Sequence, residues 1–132
     1  MKRTDAREFL MQLLYQMEAQ NDFSNASQER FISNYASQAK EDDYTHRVII
    51  SFIANKEEID KAIEDASEKW HINRMAKVDL AILRLAVTEM KYLKDADVPA
   101  QVAINEAVNL AKKFGSDESQ KFINGVLGKI AK

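Results

Sequence analysis

With 132 residues and 45% hydrophobic content, the chain can build one domain around a real core, and three glycines and one proline are too few for a loop-rich β architecture. The lack of cysteine excludes disulfides and thiol chemistry and fits a reducing compartment. A net charge of −2 argues against nucleic-acid binding by overall charge. It leaves a local site open, because phosphate attraction acts within about 8 Å in physiological salt and the charges here are segregated. Lys2, Arg3 and Arg7 face one acid, Asp5, in the first seven residues, whereas residues 57–68 hold six acids against Lys61.

The first helix is expected to start at Asp5, with Glu8 completing a capping box and Thr4 as the other candidate cap. Leu10, Leu13, Leu14 and Met17 form its core stripe, and Asn21-Asp22 ends it near Gln20. The segment FLMQLLYQMEAQ is too short and too interrupted by Gln for a membrane span, and no signal peptide is visible, so a soluble, cytoplasmic protein is expected. Ser27 is expected to open a second helix with Phe31, Ile32 and Tyr35 as its apolar residues. A third begins near Asp42 or Asp43 with Val48, Ile49, Phe52 and Ile53 inward, and either bends or breaks at Asn55 before an acidic stretch carrying Ile59, Ile63 and Ala66. Residues 70–73 read as a linker, dividing an N-terminal bundle (1–70) from a C-terminal one (71–132), with Trp70 expected to anchor on the core rather than serve as a ligand platform.

Residues 77–93 are apolar around most of a helix, with Lys77, Arg84, Thr88 and Lys91 on one polar stripe, so this helix should be enclosed by its neighbours. Pro99 suits a helix start. Ile104, Ala107, Val108 and Ala111 form the next buried row, with Leu110 and Phe114 beside it, and Gly115 suits the residue after the helix end. Ser116 or Asp117 should cap the last helix, which buries Ile123, Val126, Leu127 and Ile130. Gly125 inside that helix costs about 1 kcal/mol relative to Ala, for which close helix–helix approach is the expected compensation. The expected fold class is all-α, two small helical bundles packed into one compact unit.

No catalytic motif stands out. His46 and His71 without cysteine make a zinc site of the usual kinds improbable, and the i, i+3 pair Asp43 and His46 has no second pair to complete it. There is neither a glycine-rich phosphate loop nor a nucleophile elbow. Asn105 and Glu106 read as helix-packing residues that satisfy buried or interhelical hydrogen bonds.

Four segments carry a resemblance: DAREFLMQLLYQME, VDLAILRLA, VPAQVAINEAVNLAKKFG and SQKFINGVL. Together they resemble the NusB family of transcription antitermination factors over nearly the whole chain, with residues 20–70 matching in pattern only. The resemblance implies a two-bundle helical fold and a non-enzymatic role with no cofactor and no metal. It implies pairing with the small-subunit ribosomal protein also called NusE and binding of the single-stranded boxA element of nascent ribosomal RNA transcripts. The complex would join other Nus factors on RNA polymerase.

Carried onto this chain, the family's RNA contacts fall in two places. One is the basic N-terminus, here Lys2, Arg3 and Arg7, where unpaired cations at a helix entrance suit phosphate; the plain alternative is a solvated terminus. The other is the start of the last helix, here Glu118, Ser119, Gln120, Lys121 and Phe122. An edge aromatic there can stack a base, or can simply pack between bundles. Lys112 and Lys113 fit the helix C-terminal dipole better than RNA. For the NusE-facing surface the family implies Tyr15, which lies opposite the leucine stripe with Met11 nearby, and Asp79, which could equally serve its own helix N-terminus. An open partner surface would allow a homodimer. The alternatives are a helical protein-interaction domain without RNA binding of its own, and a regulatory partner of an RNA methyltransferase.

Overall fold

A computed structural model describes residues 2–34, 42–68, 70–93 and 98–132. Tyr35 and the side chains of Phe31, Ile32 and Asp43 lie outside the described residues, together with what was expected of them. In chain order the helices are α1 (Arg3–Gln20), α2 (Asn25–Asn34), α3 (Asp42–Ala66), α4 (Lys77–Val87), α5 (Ala100–Phe114) and α6 (Asp117–Ala131). A 3-10 turn at Ile72–Arg74 precedes α4, and a π-helical turn at Thr88–Tyr92 extends it. No strand occurs among the described residues.

Local chemistry sets the helix ends. α1 begins two residues before Asp5, which therefore stands at the third helical position rather than at the cap, its carboxylate accepting from the Lys2 backbone N–H at 3.4 Å. The helix closes at Asn21, whose left-handed φ of 51° asparagine tolerates better than most residues, with Asn21 N–H on the Glu18 carbonyl at 3.1 Å. Ser27 is not the start of α2; it lies buried in the first turn and donates its N–H to Ser24 Oγ at 3.2 Å. α3 runs as one element across a kink at Asn55 (φ −122°, ψ 18°), where the carboxamide donates to the Ser51 carbonyl at 2.8 Å. α5 starts after Pro99, and Ser116 Oγ caps α6 by accepting from Ser119 N–H at 3.1 Å.

Two expectations about glycine are corrected. Gly115 follows α5 without a left-handed backbone; it is required for space, since a Cβ there would come within 2.9 Å of Ser119. Gly125 allows no close helix approach, because nothing lies within 4 Å of where its Cβ would be.

α4 is the axis of the molecule. It is buried continuously from Leu80 to Glu89, against α1 on one side and α3, α5 and α6 on the others. Arg7 of α1 meets Glu89, and Glu18 of α1 meets Arg84, so the two helices run antiparallel. Leu10, Leu13, Leu14 and Met17 close on this axis, each worth about 1.5–3 kcal/mol for a fully buried apolar side chain. The apolar cluster is continuous from Ala6 through Ile63 to Leu127 and crosses residue 70 without interruption.

Half of the polar stripe expected on this helix is interior: Arg84 and Thr88 are buried, Lys77 and Lys91 exposed. Arg84 is 1% exposed and is clamped by Asp60 of α3 (Nε–Oδ1 2.9 Å, Nη2–Oδ2 2.9 Å) and Glu18 of α1 (Nη1–Oε1 2.7 Å). The Phe23 and Phe52 rings flank its guanidinium at 5.4 and 5.7 Å. Burial alone would lower the Arg84 pKa, but its bonds and charge interactions with Asp60 and Glu18 outweigh that and raise it. Thr88 is buried as well and donates its hydroxyl to the Arg84 carbonyl at 2.7 Å, just where the π turn begins.

Candidate nucleic-acid and partner interface

The basic N-terminus is less free than its composition suggests. Lys2 is exposed at the mouth of α1. Arg3 is half-buried, its guanidinium stacked 3.9 Å above the Tyr44 ring. Arg7 corrects the expectation of an unpaired cation: it is 6% exposed and forks onto Glu89, with Nε–Oε1 and Nη2–Oε2 both 3.0 Å, and Glu106 lies 3.9 Å away. The π turn after Val87 carries Glu89 into this buried position. Burial pushes the Tyr44 phenol pKa up, and the nearby Glu89 carboxylate adds to the shift, so the ring under Arg3 stays neutral. The tip therefore presents an exposed Lys2 and a half-buried Arg3, while Arg7 fastens α1 to α4.

The expected cluster at the start of α6 divides between two sides of that helix. Glu118, Ser119 and Phe122 line a depression of about 350 Å³ with Trp70, Arg74, Met75, Ala76, Asp79 and Ser116. Gln120 and Lys121 look the other way, into a groove between α5 and α6. Ser119 is buried beside its cap, Phe122 is half-buried against the core, and Glu118 and Lys121 are exposed. Trp70 corrects a second expectation, for it is 51% exposed on the rim of the depression rather than anchored in the core. The turn that presents it is held by other groups. The Ser67 hydroxyl reaches the Glu64 and Trp70 carbonyls at 3.0 and 2.8 Å, and Glu64 accepts from the Ile72 N–H at 2.8 Å.

Of the expected partner residues, Tyr15 is on the surface at 37% exposure. Met11 is 3% exposed and belongs to the core, so it cannot meet a partner without a change in packing. Asp79 lies in the first turn of α4 and shares the depression with Phe122, Glu118 and Trp70. Its Oδ1 is buried and accepts no hydrogen bond within the described residues. Such an atom suits a donor brought by another molecule. The depression thus combines two aromatic faces, two carboxylates and one arginine, an arrangement for recognition rather than bond making. Of the residues expected to pair by packing, Asn105 bonds only its own helix, accepting from Gln101 at 2.9 Å, while Glu106 faces Arg7 across α1. Arg74, which also lines the depression, leaves no signal in the sequence, whereas Trp70 reads there as a core anchor in preference to a ligand platform.

No group of three or more potential metal-ligating side chains occurs among the described residues, and no described helix is long and apolar enough to cross a membrane. The described residues form a helical body with basic residues at the start of α1 and an aromatic, mixed-charge depression beside its last helix. The chain belongs to the NusB family, whose model matches residues 4–132. It is 46% identical over 129 residues to the transcription antitermination protein NusB of Alkaliphilus oremlandii, covering 98% of this chain and 92% of the relative. It is 44% identical over 131 residues to NusB of Listeria monocytogenes serotype 4a, covering 99% and 97%. Among solved structures, T. maritima NusB superposes with a TM-score of 0.82 at 36% identity, covering 99% of this chain and 91% of that one. A crystal structure of the antitermination factors NusB and NusE in complex with dsRNA also gives 0.82, at 27% identity and with 98% and 95% coverage.

Proposed function

We propose that this protein is a non-enzymatic, cytoplasmic antitermination factor that pairs with the NusE-type small-subunit ribosomal protein and binds boxA-like single-stranded RNA in ribosomal RNA transcripts. Through that complex it joins other Nus factors and RNA polymerase. The observation that carries this reading is the match to NusB relatives along essentially the full chain, at 46% identity, reinforced by a structural relative seen with NusE and dsRNA. The division of surfaces fits an adapter. The tip at Lys2 and Arg3 supplies positive charge, Phe122 and Trp70 supply stacking faces, and Tyr15 and Asp79 are the groups expected to meet the protein partner.

Two ligands bound side by side stabilise each other, so the RNA should bind the protein pair more tightly than either protein alone. Titration of a labelled boxA-like RNA with the chain, with the partner and with both, across a salt series, tests this. The expected result is tighter binding by the pair, with log K falling by about 0.7 per neutralised phosphate against log salt for a single strand. Preference for a duplex of the same sequence would overturn the single-strand assignment, and no binding under any condition would overturn the reading as a whole. Tyr15→Asp should weaken partner binding roughly tenfold or more while the helical circular dichroism stays intact. Unchanged partner affinity would place that interface elsewhere.

A further inference from the structure

The groove between α5 and α6 is unlike the depression on the other side of α6. It has a volume of about 530 Å³ and is lined by Asn105, Val108, Asn109, Lys112, Gln120, Lys121 and Asn124. That is four carboxamides and two lysines with no carboxylate on the wall, in a chain whose net charge is −2. Asn105, Asn109 and Lys112 follow each other at i, i+4 and i+7 on α5, and Gln120 and Asn124 at i, i+4 on α6, so two rows face one another. The side chains of Asn109, Lys112, Lys121 and Asn124 take part in no hydrogen bond or ion pair within the described residues. Asn105 uses its oxygen on Gln101, which leaves its amide hydrogens for another acceptor, and Gln120 is held loosely by Asp117 at 3.4 Å.

We infer that this groove is a second track for the RNA, in which Lys112 and Lys121 neutralise phosphates while Asn109 and Asn124 hydrogen-bond base edges. The inference rests on the RNA-binding function proposed above; Gln120 and Lys121 belong to the element that the family resemblance implies, and Asn109, Lys112 and Asn124 are the residues added to it. Carboxamides donate and accept at once, as base edges require, and the two lysines suit the phosphates between them. The position fits as well. Lys113 on α5 pairs with Glu8 of α1 at 2.6 Å, which ties the first turns of α1 to the helix that carries half of the groove.

The test uses the full chain with its NusE-type partner and a boxA-like single-stranded RNA. Lys112→Gln with Lys121→Gln should reduce the steepness of the log–log salt dependence by about 1.4, twice the single-strand value of about 0.7 per phosphate. Asn109→Ala with Asn124→Ala should weaken binding fivefold or more at unchanged salt slope, the size of a lost base-edge contact, and should do so less for an RNA lacking bases at the affected positions. All four side chains are exposed, so the variants should keep the wild-type melting temperature. If the wild-type pair binds the RNA and all variants match it in affinity and slope, the groove is not an RNA track, although the proposed function survives. If the wild-type pair binds no RNA, both fall together.

Discussion

The seam between α1 and α4 and the open face between α5 and α6 both carry cations, and they use them in opposite ways. In the seam, Arg7 and Arg84 are buried and bidentate on carboxylates from distant parts of the chain. On the α5–α6 face, Lys112 and Lys121 are exposed and paired with nothing among the described residues. Arginine suits the seam because its planar fork satisfies two carboxylate oxygens at once. Lysine suits the open face because a flexible, hydrated ammonium can follow a phosphate. A cation near a presumed binding site is therefore not a ligand contact by virtue of its charge. What it is already bonded to decides that.

The strongest way to break this comparison is at Arg84. Arg84→Met should leave Glu18 without its partner and Asp60 with Lys56 alone, at 3.2 Å, and cost about 3 kcal/mol of unfolding free energy, measured by urea denaturation. A loss below about 1 kcal/mol would mean that both carboxylates escape to water and that the clamp contributes little. Arg7→Met should cost about 2–3 kcal/mol, because Glu89 is buried and would be left unpaired. Adding Glu89→Met should recover most of that loss. In the folded single variant the salt dependence of RNA binding should not change, since Arg7 is already neutralised. A slope reduced by about 0.7 would return Arg7 to the phosphate-binding set.

Much of the fold was legible because helix period, caps and breakers are local. The stripes on α1, α3, α5 and α6, the end of α1 at Asn21, the Asn55 kink and the Ser116 cap all follow from neighbours within a turn or two. The misreadings share a different cause. Arg7 was taken for a free cation because Glu89, its partner, lies 82 residues away and is turned inward by a π turn that leaves no mark in the hydrophobic pattern. Met11 reads as a partner residue beside Tyr15, although one helical turn separates a 3% exposed position from a 37% exposed one. Trp70 was expected inside on grounds of apolar area, but hydroxyl and carboxylate bonds at Ser67 and Glu64 fix its turn and leave the ring outside. For the candidate site, the resemblance indicated the α6 entrance. The sequence could not show that Phe122 and Lys121, adjacent in the chain, open onto different sides of the helix.

The two glycines flanking this surface sharpen the contrast between packed joint and open face, at smaller scale. Gly115→Ala would place its Cβ 2.9 Å from both Cβ and Oγ of Ser119 and 3.0 Å from the Ala111 carbonyl, at the joint that sets α6 against α5. Serine has no long flexible end to withdraw, so about 1–2 kcal/mol of destabilisation and a lower melting temperature are expected. Gly125→Ala meets no atom within 4 Å and replaces a poor helix former with the best one. It should raise stability by about 0.4–1 kcal/mol, mostly through the entropy of the unfolded chain, visible as a small rise in melting temperature. Because Gly125 is exposed on the same helix as Lys121 and Asn124, the RNA titration adds a second measurement. Stability gained with affinity unchanged means that the glycine serves neither packing nor RNA. Stability gained with affinity lost means that the open backbone at Gly125 is itself approached by the ligand, which would extend the proposed track to the residue after Asn124.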